Sequence, residues 1–460
     1  MTASVPDLGR QQLAIVDVPA LIDNGPISLF QKMIMLLTAA AVVVDGFDVQ
    51  AIGFVAPAII RAWGADRLAL GLVFSASVFG LLVGSFVLSM LADRIGRRPV
   101  LIGSLMFIGV CMLGTTLTRT VSELLLLRFV TGLGLGGVMA NSMALVAEYS
   151  PARKRVTMMT WVSCGFTIGA VGGGLASAAL IPWGGWKAVF IFGGIPPLLI
   201  GAAMLPLLPE SIQFQVTRRR DSDRIARWLM RIAPDVKVGP GTRYVVHEKS
   251  HDGVPIAELF RSGRAMTTVL LWGINFANLL NLYFLSNWLP ALLADAGFSV
   301  SAATLIGTAL QVGGVIGTFL MGPLIDRFGF YRILLPSFLV AVFAIGAIGQ
   351  LEHWPALFII AVLTSGFCVI GGQPAINALS ATVYPTAIRA TGVGWSLGVG
   401  RIGAMMGPAI AGQLIRLQWS NGDIFFAAAV PALFACGMLY CMSQTGRMPS
   451  VATSVRAVGH

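Results

Sequence analysis

Long apolar stretches, each of a length that can cross a bilayer, dominate the pattern of hydrophobic and polar positions. A membrane-spanning helix needs about 20 mostly apolar residues. The stretches that meet this requirement are 31–59, 68–92, 99–117, 122–147, 159–181, 187–208, 266–292, 301–325, 330–349, 354–378, 388–417 and 423–443. The pattern therefore predicts an all-α integral membrane protein with twelve transmembrane helices.

One polar stretch divides the predicted spans into two sets of six. Residues 209–265 are predicted to form a central cytoplasmic loop between one bundle at 31–208 and a second at 266–443. A cytoplasmic segment at 1–30 and a cytoplasmic tail at 444–460 complete the predicted organisation. Residues 1–30 lack the apolar core of a cleavable signal peptide.

Two sequence patterns recur with nearly the same spacing in both halves. The Asp-Arg-x-Gly segment at 93–96 returns at 326–329. The Pro, Arg, Gly and Gly positions of 151–173 return within 385–407, at almost the same offset along the chain. These matches predict two pseudo-symmetric six-helix bundles that face one another across a substrate path.

The composition agrees with a membrane protein and excludes other classes. Charged residues make up only 11% of the 460 residues, against about 25% in an ordinary soluble protein. Hydrophobic residues make up 56%, which excludes intrinsic disorder because disorder needs low hydrophobicity and high charge. A typical soluble enzyme is excluded as well, because so few charges cannot cover its surface.

The net charge of +11 is interpreted as a signal of topology. If both termini are cytoplasmic, most Lys and Arg residues fall on the inner side, as the positive-inside rule expects. The outer loops then hold only Arg61, Arg67, Arg119, Lys187 and Arg416. We therefore expect a multi-pass protein of the inner (plasma) membrane, with the lipid bilayer as its surroundings and no nucleic-acid partner.

Neither an enzyme nor a metal protein is expected. The five cysteines lie in apolar runs without CxxC spacing, and the four histidines do not cluster. No histidine lies within a predicted span, and the buried charges form no hydrolytic constellation. The GxGxxG patterns at 132–137 and 398–403 lie inside predicted spans rather than after a strand, so we interpret these glycines as helix-packing positions.

Several segments carry a resemblance to the major facilitator superfamily. The sequence LADRIGRRPVL after span two looks like the most specific signature of that family, and DRFGFYRIL is a degraded second copy. The segment LLLLRFVTGLGLGG at 124–137 resembles its fourth-helix motif, and PES at 209–211 is also typical.

A narrower resemblance is to the aromatic acid:proton symporters, the family of 4-hydroxybenzoate and benzoate transporters. It rests on Asp45-Gly-Phe-Asp48 with the following GFVAPAI, on EYSPARKR from Glu148, and on YPTAIRATGVGWSLGVGRIG at 384–403. The resemblance implies a monomeric secondary transporter that imports an aromatic carboxylate by proton symport through alternating access. The coupling ion is then H+, and no cofactor is expected.

Other functions remain open at this point. The same fold could carry another organic acid such as muconate, a sugar or a dicarboxylate, or it could export drugs. A membrane receptor that binds without transporting is the alternative from another class, since binding does not prove transport.

Four charged residues lie within predicted spans, where charge is costly and usually functional. They are Asp45, Asp48, Arg128 and Arg401. Asp45 and Asp48 are three residues apart and share a helix face. Repulsion and desolvation favour their protonated forms, which suits proton coupling. The alternative is a structural pair held by Arg128, which the resemblance links to coupling, or by another cation.

Arg401 and Glu148 are further candidates. A guanidinium can hold a carboxylate by two parallel hydrogen bonds, so Arg401 is predicted to bind the substrate anion or to act in coupling. The alternative is a structural ion pair. Glu148, at the inner end of span four, is predicted to act in proton coupling as a relay or gate; the alternative is a plain interfacial charge.

A conformational latch is predicted at the inner surface. The resemblance implies that Asp93 contacts the start of span eleven, and an anion is favourable at a helix N-terminus. The predicted gating residues are Asp93, Arg94, Arg97, Asp326, Arg327 and Arg389. The alternative is that the arginines only hold the spans inside.

Polar and aromatic residues within spans predict a substrate cavity. Amides left in lipid are unfavourable, so they should face a wet cavity or another helix. Aromatic side chains could stack on a substrate ring, with core packing or an interface belt as the alternative. The candidates are Asn141, Asn278, Asn281, Tyr283, Trp288, Gln373, Asn377 and Trp395.

Overall fold

Long helices joined by short turns make up nearly all of the protein that the computed structural model describes. The described residues are 15–217, 222–232, 242–245, 256–261, 263–351, 354–384 and 388–444. The first set of helices is α1 Val18–Asn24, α2 Leu29–Trp63, α3 Arg67–Ile95, α4 Arg97–Thr115, α5 Val121–Tyr149 and α6 Arg155–Leu207. After α7 Ile212–Thr217 and α8 Ser222–Ile232 come α9 Ala265–Asp295, α10 Val300–Phe328, α11 Phe330–Ile348, α12 Pro355–Val383, α13 Arg389–Arg416 and α14 Asn421–Gln444.

Twelve membrane crossings arise from eleven of these helices. Ten helices in the described part of the chain are long and apolar enough to span a membrane. One of them, α6, provides two crossings because Gly185 interrupts it with φ 64° and ψ −168°. The twelfth crossing is α13, whose glycines and Arg401 make it less apolar than its neighbours. The prediction of twelve helices is confirmed.

The boundary between the fifth and sixth spans differs from the prediction. The sequence indicated a loop after residue 181, yet α6 continues through Pro182 and breaks only at Gly185. Gly185 adopts a positive φ, which costs glycine little because it has no Cβ. The chain therefore reverses at one residue instead of through a loop.

Local sequence explains where several helices begin and end. The Ser28 hydroxyl accepts a hydrogen bond from the Gln31 N–H, and the Gln31 side chain accepts one from the Ser28 N–H, which forms a capping box at the start of α2. The same helix ends at Gly64 in the left-handed conformation. Thr120 caps α5 by accepting from the Glu123 N–H.

The backbone follows the internal repeat closely. The turn between α3 and α4 has Gly96 at φ 108° and ψ 160°, and the turn between α10 and α11 has Gly329 at φ 87° and ψ 159°. Arg155 donates to the Ser150 carbonyl over 3.4 Å, and Arg389 donates to the Tyr384 carbonyl over 3.4 Å. The two halves are thus built in the same way at equivalent positions.

Close helix packing also repeats between the halves. Gly80 of α3 lies against the Phe129 backbone of α5, and the equivalent Gly313 of α10 lies against the Leu363 backbone of α12. Small residues let membrane helices approach to backbone contact. This repeated contact supports the two pseudo-symmetric six-helix bundles that the sequence predicted.

The two ends of the bundles differ in charge and in contact. We call the end that carries Arg94, Arg97, Arg155, Arg327 and Arg389 the basic end. The bundles are joined at the opposite end and in the middle of the molecule. The contacts are Arg67 to Asp295 at 2.6 Å, the Trp288 ring edge-on to the Phe74 ring with centroids 5.4 Å apart, the Ser75 hydroxyl to the Met405 carbonyl at 2.7 Å, and the Ser301 hydroxyl to the Ala178 carbonyl at 3.0 Å.

Of the polar segment between the bundles, the described helix α8 and one short strand pack against the N-terminal part of the chain at the basic end. In α8, Trp228 stacks on Phe30 of α2 with ring centroids 5.4 Å apart. The short strand β2 (Arg243–Val245) pairs in parallel with β1 (Ile15–Asp17). Residues 1–14 of the predicted N-terminal segment and 445–460 of the predicted tail lie outside the described residues.

Candidate functional site

An ion pair lies deep inside the first bundle. Arg128 of α5 and Asp48 of α2 are 3.0 Å apart, and neither side chain is exposed. The Arg128 guanidinium also donates to the Thr115 hydroxyl at 2.8 Å and to the Thr131 hydroxyl at 3.3 Å. Its carbon lies 4.9 Å from the centre of the Phe190 ring. Arg128 therefore neutralises Asp48. A structural pairing with Arg128 was the alternative to proton coupling that the sequence left open for the two aspartates.

Asp45 has a different environment from Asp48. It is only 3% exposed, and its Oδ1 atom has no hydrogen-bond partner in the described structure. The charges that act on it are the negative charge of Asp48 and the positive charge of Arg401. One turn of helix thus separates a carboxylate that is paired with a cation from a carboxyl group whose Oδ1 has no hydrogen-bond partner among the described residues.

Arg401 links the two bundles in the middle of the molecule. Its guanidinium donates to the Ser85 hydroxyl of α3 over 2.6 Å, and the residue is half-buried. No carboxylate lies within 4.0 Å of it in the part of the chain that the structure describes. Asp45 and Tyr283 are the acidic side chains that lie within electrostatic range of the Arg401 guanidinium. Among the described residues, the Arg401 guanidinium is therefore held by a neutral hydroxyl and not by an ion pair.

A chain of amide groups crosses the second bundle. The Asn278 side chain of α9 donates to Gln373 Oε1 of α12 at 2.8 Å. Gln373 donates in turn to Asn275 Oδ1 and to Asn377 Oδ1, both at 3.0 Å. Asn275 then donates to the Ser396 hydroxyl of α13 at 2.7 Å. We call Ser396, Asn275, Gln373, Asn377 and Asn278 the amide network.

The internal repeat relates the aspartates to two of the asparagines. The offset between the two Asp-Arg-x-Gly segments also relates Asp45 to Asn278 and Asp48 to Asn281. Each of these four side chains is at most 3% exposed and has one oxygen without a hydrogen-bond partner in the described structure. Unsatisfied buried polar atoms are rare in folded proteins and call for an explanation.

Some candidates from the sequence lie away from these groups. Trp288, expected to stack on a substrate ring, is fully buried, packs edge-on against Phe74 at 5.4 Å and donates to Pro408. This placement favours the packing alternative, and a contact of Trp288 with substrate stays a prediction. Trp395 stacks on Trp272 with centroids 6.0 Å apart and is 43% exposed. Asn141 donates to the Gly137 carbonyl of its own helix at 2.7 Å.

Tyr283 lies between the bundles. It lines a small cleft with residues of α2 and α3, among them Val49, Ser77 and Leu81. Its ring is half-buried. Tyr283 lies within electrostatic range of both Arg401 and Asp45.

A second charged cluster lies at the basic end. Arg97, predicted as part of a latch with Asp93, forms an ion pair with Glu148, which also accepts a hydrogen bond from the Ser211 hydroxyl. Glu210 accepts from the backbone N–H groups of Arg97 at 2.9 Å and of Arg98 at 3.1 Å. A carboxylate at this position stabilises the N-terminus of α4. The sequence indicated Glu210 only through the PES segment.

The remaining predicted gating residues are exposed at the basic end. They are Asp93, Arg94, Asp326, Arg327 and Arg389. The Arg327 guanidinium lies 5.2 Å from the centre of the Phe328 ring. The contact of Asp93 with the start of α13 stays a prediction.

Sequence comparisons agree with this architecture. The model of the Major Facilitator Superfamily matches residues 38–277 and 271–455. The chain is 38% identical to the 4-hydroxybenzoate transporter PcaK of Pseudomonas putida, over 91% of this chain and 94% of that protein. It is 37% identical to the gallate transporter of the same species, over 92% and 94%, and 29% identical to the benzoate transport protein of Acinetobacter baylyi, over 93% of each.

Solved structures show the same fold at low sequence identity. A bacterial homologue of the human lysosomal transporter Spinster, in an inward-facing and unoccupied conformation, matches with a TM-score of 0.71 at 19% identity, over 91% of this chain and 98% of that one. The xylose transporter XylE from E. coli, in an inward-open conformation, matches with a TM-score of 0.70 at 14% identity, over 89% and 95%. The chain belongs to the Major Facilitator Superfamily.

Proposed function

We propose that this protein imports an aromatic carboxylate together with protons by alternating access. The single observation that carries the proposal is the position of Arg401. It is a half-buried cation between the bundles, held by a neutral hydroxyl and within electrostatic range of Asp45. The relatives named as transporters of 4-hydroxybenzoate, gallate and benzoate support an aromatic acid as the substrate.

Coupling follows from competition for Arg401. An ionised Asp45 attracts the guanidinium, and a protonated Asp45 does not. Protonation of Asp45 therefore frees Arg401 to hold the substrate carboxylate by two parallel hydrogen bonds. Loss of the proton on the other side restores the attraction and displaces the anion. One proton and one carboxylate then cross together, while Asp48 stays paired with Arg128.

The substrate site is proposed to lie between the bundles. Arg401 binds the carboxylate, and Tyr283 lies next to the ring. The other groups proposed to line the site are Asn278, Asn281, Gln373 and Asn377. Asn141 and Trp395 are proposed to contribute at its margins.

The gates are proposed to lie at the two ends of the bundles. At the opposite end, Arg67 must separate from Asp295, and the Phe74 ring from the Trp288 ring, for the site to open there. At the basic end, the exposed charges are proposed to hold the bundles together in the other state, and the Arg97–Glu148 pair, which lies within the first bundle, is proposed to rearrange as they do so. The exposed charges are Asp93, Arg94, Asp326, Arg327 and Arg389.

The basic end is proposed to face the cytoplasm, because cytoplasmic loops are rich in Lys and Arg. The protein then lies in the inner membrane with both termini cytoplasmic. We also propose that it works as a monomer, without a cofactor and without enzymatic activity. The proposed bundles are 31–208 and 266–443, joined by a cytoplasmic loop at 209–265.

Uptake by purified protein in liposomes tests this proposal. The lumen is made alkaline, labelled 4-hydroxybenzoate is added outside, and benzoate, gallate, muconate and xylose are added as competitors. We expect saturable uptake that needs the pH gradient and is reduced by the aromatic acids but not by xylose. An Arg401→Gln variant, in which no cation can hold the carboxylate, should show no uptake. Inhibition by xylose or muconate alone would contradict the proposal.

A further inference from the structure

The amide network fixes which atoms of Asn278 are available to a ligand. Its NH2 group donates both hydrogens, one to the Val369 carbonyl at 3.1 Å and one to Gln373 Oε1 at 2.8 Å. The orientation of the Gln373 amide is set in turn, because its NH2 group donates to Asn275 and Asn377. Asn278 therefore presents only its Oδ1 atom, which can accept a hydrogen bond but cannot donate one.

That oxygen is buried without a partner. Asn278 is 1% exposed, and its Oδ1 has no hydrogen-bond donor in the described structure. Asn281, one helical turn later on the same face, is also 1% exposed and also has an unpartnered Oδ1. Leaving a buried acceptor unsatisfied is costly. Two such acceptors side by side indicate a ligand that brings a donor.

The repeat separates the roles of the two bundles. The equivalent positions in α2 are Asp45 and Asp48, and each of these also has an unpartnered oxygen. A buried carboxylate can lose its charge by taking up a proton, whereas an amide oxygen is neutral already and can only accept a hydrogen bond from another group. The first bundle therefore carries the ionisable pair, and the second bundle carries two acceptors that need a donor from the substrate.

We propose that Asn278 and Asn281 accept a hydrogen bond from a ring hydroxyl, so that the substrates are hydroxylated aromatic carboxylates rather than aromatic acids in general. This inference rests on the proposed function. The carboxylate lies at Arg401 and the hydroxyl at Oδ1 of Asn278, with Asn281 as the second acceptor. An acid without a ring donor leaves both amide oxygens unsatisfied and binds more weakly.

Competition in liposomes tests the inference. Inhibition constants are measured in counterflow of labelled 4-hydroxybenzoate for benzoate, 4-fluorobenzoate, 4-aminobenzoate and the three monohydroxybenzoates. For the wild-type protein we expect the best donor-bearing acid to bind roughly tenfold more tightly than benzoate and 4-fluorobenzoate, which is the contribution of one buried hydrogen bond. Fluorine is close to a hydroxyl in size but donates nothing, so it separates donation from shape.

Two variants locate the preference. In Asn278→Leu the ratio of the inhibition constant of benzoate to that of the best donor-bearing acid should fall to about one. The acceptor is lost in this variant, while the size of the side chain is kept. Asn278 also joins α9 to α12, so Asn281→Leu, outside the amide network, provides the second variant and should reduce the ratio as well. Gln311→Leu is the matched control, since it removes a buried amide bonded to Ser286 at 3.2 Å, and it should keep the wild-type ratio.

The outcomes are distinct. A wild-type protein that binds benzoate and 4-fluorobenzoate as tightly as the hydroxybenzoates contradicts the inference and leaves the proposed function intact. A ratio unchanged in both asparagine variants also contradicts it. If no aromatic acid competes with the wild-type protein, the proposed function itself is wrong.

Discussion

Asp48 and Arg128 form a 3.0 Å ion pair in which neither side chain has any exposed surface. Two threonine hydroxyls and the face of Phe190 complete the surroundings of the arginine. A buried charge of this kind is tolerated only when it is paired. Asp45, one turn earlier, has no such partner among the described residues, and this difference underlies the separate roles that we propose for the two aspartates.

The ion pair should matter for folding before it matters for transport. Asp48→Asn leaves Arg128 as an unpaired buried charge, which should cost about 3–5 kcal/mol. We expect a large loss of thermal stability in detergent and poor expression. The matched control is Glu258→Gln, which removes the ion pair with Arg261 at the surface, and exposed pairs contribute about 0–1 kcal/mol. Equal stability of Asp48→Asn and wild-type protein would contradict this role.

Asp45→Asn should separate exchange from coupled uptake. The amide is neutral, as a protonated carboxyl is, so Arg401 stays free to bind the substrate anion. We expect counterflow of labelled substrate to persist and accumulation driven by the pH gradient to be lost. Both activities are measured in the same liposomes. A variant that still accumulates substrate against its gradient would show that Asp45 does not carry the coupled proton.

Gly46 should tolerate no side chain. A Cβ atom at this position would lie 2.6 Å from the carbonyl carbon of Phe166 and 2.8 Å from its Cα, so α2 and α6 would have to separate. Gly46→Ala should therefore destabilise the protein by about 1–3 kcal/mol or more. Gly172→Ala is the control, because a Cβ at Gly172 of α6 meets nothing within 4 Å. Melting temperatures of the two purified variants decide the matter, and equal values would contradict the packing.

Cross-linking the two bundles at the end opposite the basic end should stop transport. Arg67 and Asp295 come from different bundles and are 2.6 Å apart, so a short thiol cross-linker should join cysteines placed at both positions. We expect the double variant to lose uptake on cross-linking and to recover it after reduction. Each single variant serves as a control for reaction at the native cysteines. Full uptake by the cross-linked protein would show that this end does not need to open.

Much of the fold follows from local sequence. The length and apolarity of each span are properties of a continuous segment, so the helices were predictable within a few residues. The repeat of 93–96 at 326–329 predicted two similar bundles, and the matched turns at Gly96 and Gly329 agree with it. The break in α6 was placed less well, because the apolar residues on both sides of Gly185 hide a reversal made by a single backbone angle.

The partners of the charged side chains were less predictable. Arg401 with Ser85, and Arg97 with Glu148, join residues far apart in the chain. Their contacts depend on the rotation of each helix about its axis and on the conformational state of the bundles. The asparagines of α9 were expected to face a cavity or another helix, yet their partners Gln373 and Ser396 could be identified only from the packed bundle.

The pH of the liposome lumen gives the most direct test of the proton-coupled import of an aromatic acid. Protein is reconstituted with a pH-sensitive dye inside, no gradient is imposed, and 4-hydroxybenzoate is added outside at a pH where it is the anion. We predict that the lumen acidifies as substrate enters, that protein-free liposomes do not respond, and that Asp45→Asn does not respond. Saturable entry of the acid without any change of lumenal pH would contradict the account.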